Sequence, residues 1–416
     1  MRSDVRGILR KLRRFRRGWG AEVRKDFIEG AASLMLCNLG DYISGFFLQV
    51  FTPIIQSAPV LIALLPAASD ARGDVYSSYG SRLGTLLHLG LARRLIREEL
   101  IALVTILIGV NLWVGTLTVL VSIAFRAEVG IEPLTTVFTA LTSALIASVF
   151  MIPATTWLAT TSFKRGIDPD NVVAPIATLF GDVVTVPTII AGYEIARRAP
   201  LSVKAGLTVV TASLATYLTL VVARRVRRGG TYARAWRVIK QNLPMIMAAT
   251  SMSMVAGVIL LVNIESIVAG VGVMAVIPAF LEDGGAIACR FSAKLSTSLH
   301  LGRVTLEALP RDRWVLTQIG LNIAHSIMIF GALGTFGYLM ALWGGASVTW
   351  AIKVFTTVLL AGIMLAVLIS VITYYAALAS FRVGIDPDNV LAPILTSIAD
   401  AVGTSSLAFI LTLMMH

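Results

Sequence analysis

The sequence predicts an all-α polytopic membrane protein with about 11 transmembrane helices, arranged as two parallel five-helix repeats joined by a linker helix. Three observations predict this: composition, the recurrence of apolar segments, and an internal repeat. Of the 416 residues, 56% are hydrophobic and 14% are charged, and the mean hydropathy is +0.83. Soluble domains carry roughly 25% charged residues. The chain therefore has too few charged residues to cover a soluble fold.

Apolar segments long enough to cross a hydrocarbon core of about 30 Å recur along the whole chain. The second and eighth segments each carry a polar stretch soon after a proline, Pro66 or Pro278, and are predicted to be broken helices. The predicted spans are 28–52, 57–87, 99–125, 133–163, 171–193, 202–223, 243–264, 267–299, 314–342, 348–380 and 388–413.

The basic residues predict the orientation of these spans. Of the 35 Lys and Arg residues, 26 lie in the N-terminal tail and in the loops on the same side of the membrane, and the tail, residues 1–27, holds ten of them. The positive-inside rule then places the N-terminus in the cytoplasm and the C-terminus outside, for an integral protein of the cell membrane. The net charge of +12 does not indicate a nucleic-acid partner, because no soluble domain is predicted to present a basic surface.

Two pairs of passages show an internal duplication. Gly-Ile-Asp-Pro-Asp-Asn occurs at 166–171 and at 384–389, 218 residues apart, and the passages 66–90 and 278–302 correspond at an offset of 212. Five spans per repeat would invert the second copy, and the sixth span restores its orientation. The predicted divisions are a basic tail (1–27), a first repeat (28–200), a linker helix and loop (201–241) and a second repeat (242–416). The duplication therefore predicts a pseudo-dimeric monomer with a shared site between its halves, and assembly into higher oligomers remains an open alternative.

Each repeated motif places two aspartates along one helix. Asp168 and Asp386 precede a proline at a helix start, where a carboxylate caps free backbone N–H groups. Asp182 and Asp400 follow 14 residues later, which is about 21 Å along a helix and near the bilayer midplane. An ionised aspartate at that depth costs on the order of 3 kcal/mol, so it is expected to face a partner or water.

The duplication can bring Asp182 and Asp400 together, where two carboxylates need protons or a cation between them. A divalent cation neutralises the pair, and oxygen ligands select a hard ion such as Mg²⁺, which keeps most of its waters. Cys37 and Cys289 lie in apolar segments without a CxxC pattern, so no thiolate site is indicated. The alternative is a pair of protonated, hydrogen-bonded carboxyl groups in packed protein.

Further acids occur in the second and eighth segments, and we interpret Asp70, Asp74, Glu282 and Asp283 as pore-lining residues. Four basic residues in these segments could pair with them instead: Arg72, Arg82, Arg290 and Lys294. Asp41 also lies in a span, but no matching acid occurs in the other half, and we do not assign it to the site.

At these motifs the chain resembles the MgtE superfamily of magnesium channels and transporters, especially the eukaryotic solute-carrier branch that fuses two such membrane domains. The resemblance spans roughly residues 28–413 and implies a central pore lined by Asp182 and Asp400, with Asp168 and Asp386 near its cytoplasmic mouth. It implies Mg²⁺ as substrate and bound ion, whereas the chain is expected to lack the large cytosolic regulatory domains that gate bacterial MgtE channels. One departure is that Gly73-Asp74 and Gly285-Ala286 stand where the family usually has Gly-Asn.

The expected function is therefore transport of divalent cations, Mg²⁺ in particular, and not an enzymatic reaction. A secondary transporter that couples Na⁺ or H⁺ to a different small solute is the alternative, and binding of a small anion at helix N-termini is another. An intramembrane aspartyl protease would also use two aspartates, but the sequence carries no catalytic signature for it.

Overall fold

The computed structural model describes residues 23–24, 26–31, 34–35, 38–124, 133–166, 169–227, 232–302, 304, 312–383 and 387–415. Within these ranges all regular structure is helical. We name the helical residues 38–50 α1, and the helical residues described between 23 and 35 precede it. The remaining helices are α2 (Thr52–Ser57), α3 (Val60–His88), α4 (Ala92–Ala124), α5 (Pro133–Lys164), α6 (Pro169–Arg198), α7 (Leu201–Arg227), α8 (Ala233–Val262), α9 (Ile264–Ala269), α10 (Val273–His300), α11 (Arg313–Trp343), α12 (Val348–Arg382) and α13 (Pro387–Met415).

Eight of the described helices are long and apolar enough to cross a membrane: α4 to α8 and α11 to α13. This confirms an all-α polytopic membrane protein. The other three predicted spans coincide with α1, α3 and α10, of which α3 and α10 carry several charged residues. The predicted total of 11 spans therefore stays a prediction.

The predicted breaks in the second and eighth segments are wrong. Helices α3 and α10 continue through Pro66 and Pro278 and through the acidic residues that follow. Each proline lies in the second turn of its helix, where it removes the one backbone hydrogen bond of its own missing N–H without ending the helix. Helical continuity keeps the other backbone groups bonded, as a low-dielectric interior requires. The chain breaks earlier instead, where the short helices α2 and α9 end.

Helices α3 and α10 form the centre of the bundle. Along most of its length α3 is buried, packing against α4, α5, α6 and α8, and α10 packs against α11, α12 and α13. Helix α7, the predicted linker helix, is peripheral: it contacts α4, α5 and α8, and Val209, Val210 and Tyr217 on it are exposed. Such an apolar outer face is expected where a helix meets lipid.

The first helix of each predicted repeat packs against the central helix of the other. A Cβ atom at Gly45 of α1 would overlap the backbone carbonyl of Ala275 in α10, and one at Gly257 of α8 would overlap that of Ala63 in α3. Only glycine permits so close an approach of two helices. The two repeats are thus interlocked rather than side by side.

Helices α3 and α10 also end in the same way. The Nδ1 atoms of His88 and His300 donate to the carbonyl oxygens of Gly84 and Ser296, at 3.0 and 2.9 Å. Each imidazole meets a phenylalanine ring, of Phe163 or Phe381, edge to face with centroids 5.2 Å apart. These histidines therefore complete helix ends, in agreement with the repeat in the sequence.

Candidate cation site between the central helices

Two adjoining cavities lie between α3 and α10. The wide cavity has a volume of about 150 Å³ and the narrow cavity one of about 30 Å³. The wide cavity is lined on α3 from Ser69 to Ser77, and the narrow cavity from Leu65 to Asp70. Because α3 is one continuous helix, the two cavities follow one another along its axis.

Four carboxylates line both cavities, and we call them the shared ring: Asp70, Asp182, Glu282 and Asp400. They come from four helices, α3, α6, α10 and α13 respectively. Electrostatic repulsion acts on Asp400 from each of the other three. The structure thus brings both predicted aspartates of the central pair to one place, together with two of the acids predicted to line a pore.

Serine hydroxyls hold part of this ring. Ser69 Oγ donates to Asp182 Oδ1 at 2.6 Å, and Ser253 of α8 donates to Asp70. Ser253 Oγ also lies 3.3 Å from Ser397 Oγ and within hydrogen-bonding reach of Asp400. Asp182 and Asp400 are 7% and 6% exposed, so the packing leaves them almost wholly inside the bundle. The carboxylate of Glu282 has no hydrogen-bond donor among the described residues.

The remaining predicted pore-lining acids differ in position. Asp74 lines the wide cavity only. Asp283 lines neither cavity: it is buried and accepts hydrogen bonds from the Asn38 amide, whose Nδ2 lies 3.1 Å from Asp283 Oδ2. Asp168 and Asp386, predicted for the cytoplasmic mouth, lie outside the described residues.

No Lys or Arg lines either cavity among the residues that the structure describes, and the four nearby basic residues have other partners. Their closest contacts are Arg72 Nη2 with Ser143 Oγ (3.0 Å), Arg82 Nε with Glu99 Oε2 (2.9 Å), Arg290 Nη1 with Asn322 Oδ1 (2.7 Å) and Lys294 Nζ with Asp26 Oδ1 (2.8 Å). In the described part of the chain, none forms an ion pair with the ring. Arg72 attracts Asp182 electrostatically without forming an ion pair with it, so the described residues leave most of the negative charge of the ring unpaired.

The described side chains at the ring do not form a complete metal-binding site by themselves. Among the described residues, no three His, Cys, Asp or Glu side chains lie close enough together to hold a metal ion. The carboxylates instead surround open space, and a cavity of about 150 Å³ holds several waters, since one water needs about 10–15 Å³ on this volume measure. Such a site is suited to an ion that retains its water shell.

Comparison with known proteins identifies the family. The MgtE model, described as a divalent cation transporter, matches residues 65–191 and again residues 277–410, together more than half of the chain. The chain belongs to the MgtE family. Each of the two matched segments covers most of one central helix and includes one aspartate of the predicted pair, so the family model matches each half of this MgtE chain.

Curated relatives of this MgtE chain are solute carriers. Solute carrier family 41 member 3 of Rattus norvegicus is 24% identical over 406 residues, covering 91% of this chain and 85% of the relative. Its Mus musculus counterpart is 24% identical over 402 residues (90% and 80%), and member 2 of Mus musculus is 21% identical over 407 residues (90% and 68%). No solved structure matches the chain. These matches confirm the resemblance predicted from the motifs and support a transporter rather than an enzyme.

Sequence reasoning missed Asp41, Ser69 and Ser253. Asp41 lines the narrow cavity, although no matching acid exists in the second half. A signal was present, because the residue 212 positions after Asp41 is Ser253, which contacts the ring from the corresponding helix. A polar residue at the same place in both repeats points to one shared environment even when the residue types differ.

Proposed function

We propose that this protein transports divalent cations, Mg²⁺ in particular, and that the shared ring between its two halves is the site through which the ion passes. The observation that carries this proposal is that four carboxylates from four helices line two adjoining cavities, with no basic residue among the described residues of their lining. Buried carboxylates without a counter-ion are costly, and a doubly charged cation offsets that cost for two of them at once.

The chemistry of the ring favours a hard, hydrated ion. Its atoms are carboxylate and hydroxyl oxygens, with neither thiolate nor imidazole. Mg²⁺ dehydrates reluctantly and is usually held through one or two carboxylates and several waters. The wide cavity offers space for such a shell, and the ring offers carboxylates on opposite central helices.

The arrangement also supports a pseudo-dimeric reading of the monomer. Asp70 corresponds to Glu282 at the offset of 212, and Asp182 to Asp400 at the offset of 218. We propose that a pseudo-two-fold axis along the membrane normal relates the repeats 28–200 and 242–416, with the ring on that axis. The basic tail and loops support a cytoplasmic N-terminus and an external C-terminus in the cell membrane.

A Mg²⁺ flux assay tests this proposal. The purified protein is placed in liposomes that contain a fluorescent Mg²⁺ indicator, and the double variant Asp182→Asn/Asp400→Asn is expected to abolish flux because it removes half of the charge of the ring. The control is Glu194→Gln, which neutralises a carboxylate on α6 that pairs with Arg197 at 2.6 Å, away from both cavities. Unchanged flux in a double variant that elutes as a monodisperse protein would refute the proposal.

A further inference from the structure

Asp41 is a buried acid for which the described residues provide no partner. It is 2% exposed, lines the narrow cavity, and makes no hydrogen bond or ion pair with any described residue. Electrostatic repulsion from Glu282 and Asp283 acts on it. Packing does not account for such a group, because nothing in the described protein satisfies its charge.

The neighbouring acid Asp283 is an equally buried carboxylate whose hydrogen-bonding requirement is satisfied. Asp283 is 1% exposed and accepts hydrogen bonds from the amide of Asn38, one turn before Asp41 on α1. The same helix therefore supplies a donor to one acid and presents another acid, unpaired, to a cavity. Asp41 and Ser44, one turn further on, both line that cavity.

The volumes of the two cavities decide which ion can enter each. One water needs about 10–15 Å³ on this measure, so a shell of six waters needs roughly 60–90 Å³. The wide cavity, about 150 Å³, exceeds this requirement, and the narrow cavity, about 30 Å³, falls below it. A hydrated divalent ion fits the wide cavity and must lose waters to enter the narrow one.

We infer that the narrow cavity is a second cation position, in which Asp41 and Ser44 replace waters that a divalent ion loses as it passes the shared ring. The inference rests on the proposed function and adds to it a partly dehydrated state of the ion. It also assigns that state to one side of the bundle. The wide and narrow cavities meet at the ring, so the ion exchanges water for protein oxygen without leaving the carboxylates.

The second half does not build an equivalent position. Ser253 corresponds to Asp41, and its hydroxyl donates to Asp70 rather than leaving a free carboxylate. Because the proposed axis runs along the path, Asp41 and Ser253 lie on opposite sides of it at one depth, so the two halves contribute different chemistry there although the ring is built from corresponding residues. Asp41 therefore confines the loss of water from the ion to the side of the cavity that α1 lines.

The test separates dehydration from hydrated-ion binding. Cobalt(III) hexaammine has the size of a hydrated Mg²⁺ ion but does not exchange its ligands, so it probes the wide cavity alone. Its binding to the full-length protein in detergent is measured by calorimetry, and Mg²⁺ flux is measured in liposomes. We expect Asp41→Asn to lower flux at least tenfold while the affinity for cobalt(III) hexaammine stays within twofold of wild type.

Two further variants keep the test decisive. Asp41→Ser copies the residue that the second half carries at this place and serves if the Asn variant does not fold, with the same expected result. Glu194→Gln neutralises an acid of α6 that pairs with Arg197 away from both cavities, and it is expected to leave flux within twofold of wild type.

The outcomes distinguish this inference from the proposed function. Wild-type flux in both Asp41 variants would overturn the second position and leave the ring proposal standing. An equal loss of flux and of cobalt(III) hexaammine affinity would also overturn it, because Asp41 would then act on the hydrated ion. Failure of the ring proposal itself would appear separately, as flux that survives the Asp182→Asn/Asp400→Asn variant.

Discussion

The two halves of the chain agree in some of their buried polar residues and differ in others, and the two groups lie in different places. Where both halves carry an acid, as at Asp70 and Glu282 or at Asp182 and Asp400, the side chains meet in the shared ring. Of the acids that only one half carries, Asp41 lines the narrow cavity, Asp74 lines the wide cavity and Asp283 lines neither. The acids common to both halves thus line both cavities, whereas an acid found in one half lines at most one of them.

A buried cation shows the same divergence. Arg72 of α3 is 1% exposed and donates to Ser143, whereas the corresponding residue of α10 is Gly284, whose added Cβ would meet Leu365. The first half therefore encloses a positive charge next to α6, and the second half uses the same place for close helix packing. Four predictions test which differences between the halves affect transport and stability.

The largest expected effect tests whether Asp182 and Asp400 contribute equally to transport. Asp182→Asn and Asp400→Asn, made singly, are each expected to lower Mg²⁺ flux in liposomes by more than about tenfold, because losing one charge beside a divalent ion costs more than about 1.4 kcal/mol. The two losses are expected to agree within threefold. Full flux in either single variant would show that the corresponding acids do not share one role.

The second prediction concerns a buried ion-pair cluster that joins α8 to the first half, and we call this cluster of Glu99, Arg82 and Arg234 the clamp. Glu99 is fully buried and accepts from Arg82 Nε at 2.9 Å and from Arg234 Nε at 2.5 Å. Removing one partner of a buried ionic group costs about 3–5 kcal/mol, so Glu99→Gln is expected to lower the unfolding free energy by about that much. Denaturant unfolding in detergent measures it, and a change below about 1 kcal/mol would contradict the clamp.

The third prediction tests the interlocking of the repeats. Gly45→Ala and Gly257→Ala are each expected to destabilise the protein by about 1–3 kcal/mol, because the added methyl group overlaps a backbone carbonyl of the opposite central helix. Gly206→Ala is the control, since no atom lies within 4 Å of a Cβ there, and it is expected to be stabilising by about 0.5–1 kcal/mol. Thermal unfolding that ranks all three variants alike would contradict the close approach.

The smallest effect is expected for the ion pair that joins the N-terminal segment to the second half. In this pair Asp26 accepts from Lys294 Nζ at 2.8 Å. Burial raises the pKa of Asp26, but the hydrogen bond and charge of Lys294 outweigh it and leave the pKa below its ordinary value. The pair is partly exposed, so Asp26→Asn is expected to cost less than about 1 kcal/mol.

The pH dependence of that variant follows from the lowered pKa. The stabilisation by Asp26 is present above its ordinary pKa of 3.8 and is lost as the pH falls below that value. The wild type and the Asp26→Asn variant are therefore expected to differ slightly at neutral pH and to converge in acid. A difference that grows on acidification would contradict the assignment.

Much of this architecture was predictable from local features of the chain. Apolar length predicted the helices, and the repeated aspartate motif predicted that Asp182 and Asp400 belong together. The helix breaks were mispredicted, because proline and charge were taken as breakers, although a bilayer interior favours unbroken backbone hydrogen bonding. The roles of Asp168 and Asp386 stay predictions.

The amino-acid sequence by itself determined the helical membrane class, the duplication and the acids that the halves have in common, since each is a property of composition or of spacing along one helix. Tertiary structure alone decided which acids face open space. Asp41 lines a cavity and Asp283 does not, because α1 crosses to the opposite half. There its Asn38 donates to Asp283, and its Asp41 faces the narrow cavity. A helix defines the faces of its side chains, but only the helix packed against it decides what each face meets.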